Sequence, residues 1–119
     1  MEERNISFED LGLSEAMLKA LEQKGYGYPT TIQAEAIPPF LQWKDVIAKA
    51  PTGTGKTFAF GIPMIEHIDA ASSEVQALIL APTRELAIQI GDELRGLLTY
   101  FTGIRVAVLY GGAGIGSQI

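Results

Sequence analysis

The sequence predicts an α/β fold, with a parallel sheet flanked by helices and right-handed crossovers from strand to strand. Three observations predict it. Short apolar runs at residues 45–50, 75–81 and 104–109 read as strands buried on both faces. Segments of helical spacing separate those runs. The loop Ala50-Pro51-Thr52-Gly53-Thr54-Gly55-Lys56-Thr57 joins the first run to the helix after it. Strand, glycine-rich loop and helix form the setting in which Gly-Lys-Thr marks a phosphate-binding loop.

The elements follow in order. Ile6, Phe8, Leu11 and Leu13 lie in a loop-like start. Ser14 can cap a helix to about residue 24, with Glu15 in its first turn, Met17, Leu18 and Leu21 on its apolar face and Gly25 as its stop. A turn with Gly25, Tyr26, Gly27, Tyr28 and Pro29 precedes a second helix reaching about residue 41, which Pro38-Pro39 should end or kink. After the phosphate loop a third helix runs to about residue 68, with Phe60, Met64, Ile65 and Ile68 inward and a kink possible at Pro63. Thr83 caps a fourth, to about residue 100. Leu86, Ile90, Leu94, Leu97 and Phe101 form its stripe at spacings of four, four, three and four. Gly111-Gly112 breaks the last strand. His67 reads as solvent-facing and Trp43 as an aromatic that anchors its loop.

Composition narrows the class. The chain has 119 residues, 47% of them hydrophobic and 19% charged, which suits one globular domain and no disordered tail. No apolar run approaches a membrane span, and the start has no signal-peptide pattern, so a cytoplasmic protein without a membrane partner is the expectation. Without cysteine there is no disulfide and no thiolate metal site. Acidic residues outnumber basic ones by 14 to 9, a net charge of −5. That balance argues against broad electrostatic capture of nucleic acid. Any such contact must be local.

The loop carries the chemistry. Gly53 and Gly55 lack a Cβ, so backbone N–H groups can approach phosphate oxygens closely. Those donors sit at a helix N-terminus, where free amides and the helix dipole favour anions. Lys56 would reach the β- and γ-phosphates, and the Thr57 hydroxyl would ligate Mg²⁺. Ala50 stands where the generic pattern has its first glycine.

Four stretches in one order resemble the motifs of DEAD-box ATP-dependent RNA helicases. Residues 25–33, with Phe8 placed 17 residues before them, are similar to that family's adenine-reading Q motif. Residues 50–57 match its motif I, Pro82-Thr83-Arg84-Glu85-Leu86-Ala87 its motif Ia, and Gly111-Gly112 its double-glycine motif. The resemblance covers essentially the whole chain as one partial domain, residues 1–119. It implies a P-loop NTPase (RecA-like) three-layer fold, truncated, and it implies roles. Gln33 would bond the adenine edge with its amide donor and acceptor. Phe8 and Tyr26 would shape or stack on the base. Thr52, Gly53, Thr54, Gly55, Lys56 and Thr57 would hold ATP or ADP with Mg²⁺. Pro82, Thr83, Arg84, Glu85, Gly111 and Gly112 would line an RNA path by backbone contacts. Read without the family, Thr30-x-x-Gln33 is a capping box, Phe8 a core residue, Arg84 and Glu85 solvated first-turn residues, and Gly111-Gly112 a turn.

The family's Asp-Glu-Ala-Asp motif does not occur in this sequence, nor do the second domain's arginine fingers. A nucleotide-binding module that does not hydrolyse ATP or unwind duplexes alone is therefore the first expectation. The alternative is an autonomous small P-loop protein, or a self-associating fragment with a vestigial nucleotide site. Strand edges left open would favour a homo-oligomer or a domain-swapped dimer.

Overall fold

A computed structural model of the chain describes residues 6–48 and 55–109. A 3₁₀ turn at Phe8–Leu11 leads into α1 (Glu15–Gln23), followed by α2 (Thr31–Leu41), α3 (Lys56–Glu66) and α4 (Arg84–Leu97). Each start has a local cause. Ser14 Oγ accepts from the Met17 amide, Thr30 Oγ1 from Gln33, and Thr83 Oγ1 from Leu86. These three caps satisfy amides that a helix otherwise leaves free. Gly55 opens α3 instead from the left-handed region, at φ 89°.

α2 packs along α3, and α4 lies against both α3 and α1. Between them sits one apolar core: Phe8, Leu13, Met17, Leu21, Ile37, Phe58, Ile62, Ile65, Leu94 and Leu97. Gly61 lets α4 approach α3, because a Cβ there would run into the Leu94 side chain. The α4 stripe is as its spacing predicts, with Leu94 and Leu97 buried and Ile90 and Phe101 packed at the rim.

Several expectations need correction. The α3 face turned to the core is Phe58, Ile62 and Ile65, while Phe60, Met64 and Ile68 are half-buried. Two neighbours, α2 on one side and α4 on the other, pull more of this helix inward than a single stripe allows. α2 ends at Leu41 as expected, with Pro38 and Pro39 inside its last turn. Gln42 and Lys44 donate to the carbonyls of Pro38 and Pro39, so the prolines serve as acceptors in the closing turn. His67 is not solvent-facing. Its ring stacks on Trp43 at 3.6 Å and 8°, and Nε2 bonds the Leu41 carbonyl at 3.0 Å.

The largest correction concerns the sheet. Among the described residues there is no strand. Ile79, Ile104 and Val106 touch the helical core, and Arg95 donates to the Val106 carbonyl at 3.1 Å. The opposite side of these runs lies open: Val75 is 89% exposed, Leu78 81%, Leu80 86% and Ile47 95%. Parallel sheets occur almost only with both faces covered. With one face in water, the runs gain too little from burial to trade hydration for a ladder. Helices need only local bonds and one covered face, so they form where the sheet does not.

Candidate nucleotide site

The site is built on the start of α2. Thr30 and Gln33 close a reciprocal capping box, in which the Gln33 amide donates to Thr30 Oγ1 and the Thr30 amide donates to Gln33 Oε1 at 2.9 Å. This box turns the carboxamide so that Nε2 faces α3. There it donates to the Gly55 carbonyl at 3.2 Å. Gln33 is only 4% exposed, and among the described residues it is the buried polar side chain of a core otherwise apolar. Burial of an amide demands partners at both ends, and both are present.

Gly55 is required on two counts. Its φ of 89° suits glycine, and a Cβ would overlap Gln33 Nε2 and sit 3.0 Å from Thr30 Oγ1. Its carbonyl accepts a second bond, from the Ala59 amide at 3.1 Å. Exposed Lys56 and half-buried Thr57 follow as the first residues of α3. The amides of this first turn have no intrahelical acceptor, and the positive end of the helix dipole adds to them. Tyr26 stands beside the same helix, its ring edge-on to Phe58 at 5.3 Å and 87° with about half its surface exposed.

Of the residues expected to act together, Gln33 and Gly55 are in contact, and Tyr26 reaches α3 through Phe58. Phe8 does not join them. It is buried among the apolar residues of the core. Pro82, Thr83, Arg84 and Glu85 are exposed at the start of α4, with the Thr83 hydroxyl engaged as the cap. Thr52, Gly53, Thr54, Gly111 and Gly112 lie outside the described residues. Two contacts escape sequence reasoning. The Gly55 carbonyl as partner of Gln33 has no periodic signal across 22 residues. Nor does the Glu66 carboxylate, which meets Ser14 across 52 residues.

Comparison with known proteins decides the family. The DEAD/DEAH box helicase family matches residues 30–119 of the chain. This chain belongs to that family. The ATP-dependent RNA helicase CshA of Limosilactobacillus reuteri is 50% identical over 118 residues, 96% of this chain and 23% of the CshA sequence. Prp28 from Chaetomium thermophilum, solved bound to ADP, superposes with a TM-score of 0.83 at 38% identity, covering 99% of this chain and 30% of that one. S. cerevisiae Dbp5 bound to RNA and ADP BeF3 gives 0.78 at 35% identity, over 82% and 25%. The DEAD-box chain described here thus spans about a quarter of the length of the curated relatives it matches. Its neighbours are RecA-like helicase domains, and its backbone follows theirs. An autonomous P-loop protein of another class is not favoured, because the family match runs from Thr30 through Ile119.

Proposed function

We propose that this DEAD-box chain carries the adenine- and phosphate-binding part of the ATP site of an RNA helicase. The observation that carries the proposal is the Gln33 Nε2 to Gly55 carbonyl bond, which joins the base-reading stretch to the phosphate-binding one. Gln33 keeps bonding capacity for a base. An amide NH₂ has two hydrogens and a carbonyl oxygen two lone pairs, and the capping box and Gly55 engage one of each. Adenine N7 and N6 match the remainder. Tyr26 supplies the exposed aromatic edge nearby. Phe8 would shape the site from within the core.

Phosphates would meet the amides of Thr52 to Thr57, with Lys56 on the β- and γ-oxygens. The donor set fits an anion, with a helix N-terminus, a left-handed glycine and an exposed ammonium. Magnesium is a different matter. Among the described residues no group of three or more His, Cys, Asp or Glu could hold a metal ion. Thr57 would contribute a hydroxyl, and phosphate oxygens and water the remaining positions, which is how Mg²⁺ is usually held. The metal would neutralise phosphate charge. Pro82, Thr83, Arg84, Glu85, Gly111 and Gly112 would contact an RNA backbone in the full helicase. No described helix is long and apolar enough to cross a membrane, and a cytoplasmic location is part of this proposal.

Calorimetric titration with ADP tests the site. Lys56→Ala is expected to weaken binding by more than ~1 kcal/mol, the loss of a charge-assisted contact. Equal affinity of the two chains would remove the assignment.

A further inference from the structure

We propose that Trp43 is a docking point for an arginine side chain of a partner polypeptide. Trp43 lies at the far end of α2 from Gln33, about 15 Å away at the rise of a helix. The His67 imidazole stacks on one face of the indole at 3.6 Å and 8°, yet Trp43 is 76% exposed. The opposite face is therefore open to solvent. The backbone here is left-handed, at φ 65°, a costly conformation for a bulky residue. Neither burial nor an easy backbone accounts for an indole at this position. A flat face held ready for a ligand does.

Charge selects the ligand. α2 and α3 run in the same direction, since Gln33 meets Gly55 near their starts and His67 meets the Leu41 carbonyl at their ends. Both end beside Trp43, and neither has a basic residue in its last turn. α4, by contrast, carries Arg95 there. The negative ends of two helix dipoles thus meet at one place. Glu66, in the last turn of α3, is engaged with Ser14. Asp45 follows Trp43 by two residues, exposed and, among the described residues, without an ion pair. Lys44 stands between them but does not cover the indole. Among the described residues, the cation over a ring is Lys19, 5.9 Å from the centroid of Tyr100. A phosphate would meet two negative helix ends, so this is no place for an RNA backbone. An arginine fits. Its guanidinium is planar, stacks on an indole face and can pair with a carboxylate at its edge. The net charge of −5 also favours the approach of a basic segment.

Trp43 is the one tryptophan of the chain, so indole emission reports this place alone. The probe is a pentapeptide with two arginines among glycines. It is expected to change the emission saturably, and its lysine counterpart to bind more weakly. In calorimetry, Trp43→Ala is expected to bind the arginine peptide about fivefold more weakly than the original chain, the effect of losing one cation–π contact. Equal affinity of the two chains would overturn the proposal, leaving only general attraction between a basic peptide and an acidic protein. An emission change with single-stranded RNA and none with the peptide would overturn it too, as would silence with both. Should Trp43→Ala not fold, emission from the original chain decides. Tighter binding of the arginine peptide than of the lysine peptide supports a stacked guanidinium, and equal affinities overturn it.

Discussion

Trp43 is the described non-glycine residue with a left-handed backbone, at φ 65°. For a bulky side chain this conformation costs on the order of 1–2 kcal/mol. Burial offsets little of it, since the residue is 76% exposed. What holds the residue is the Trp43 amide on the Phe40 carbonyl at 3.0 Å and the stack on His67. His67 is itself fixed to Leu41. Two substitutions separate ring from backbone. Trp43→Ala and Trp43→Gly both delete the stack, but only glycine relieves the dihedral. We expect Trp43→Gly to be the more stable of the pair by about 1 kcal/mol in urea unfolding. Equal midpoints would show that no strain resides there.

At the scale of elements, the joint between α1 and α3 is the clearest case. Ser14 Oγ accepts from the Met17 amide at 3.3 Å and donates to Glu66 Oε1 at 2.8 Å, while the Ser14 amide donates to Glu66 Oε2. One carboxylate thus closes the last turn of α3 onto the first turn of α1. Negative charge suits the α1 N-terminus. Ser14→Ala should cost about 1–2 kcal/mol, because it removes a cap and leaves Glu66 one bond short. Combining it with Glu66→Gln tests the joint. A double-mutant cycle is expected to return a coupling of ~1 kcal/mol, and strict additivity would mean the two helices are capped independently.

For the whole molecule, stability resides in the helical core and not in the apolar runs beside it. Ile62 of α3 is wholly buried in the core, whereas Leu78 is 81% exposed. Ile62→Ala is expected to destabilise by about 2–5 kcal/mol, as buried truncations do. Leu78→Ser should change stability by less than ~0.5 kcal/mol, as exposed substitutions do. Chemical denaturation compares them directly. A cost at Leu78 approaching that at Ile62 would show that residues 75–81 are buried in solution.

The sequence by itself determined what depends on neighbours along the chain. Ser14, Thr30 and Thr83 announced three helix starts because a cap acts over three residues, and each caps its helix in the structure. The stripe from Leu86 to Phe101 showed its buried face because side chains three and four apart share one side of a helix. Gly55, Lys56 and Thr57 were legible as a motif for the same local reason. Tertiary structure alone decided what depends on elements meeting. It paired Gln33 with the Gly55 carbonyl, because α2 packs along α3. It left residues 75–81 and 104–109 without a ladder. Their composition is that of buried strands, but a strand becomes one only when another chain segment supplies its hydrogen-bond partners and covers its second face.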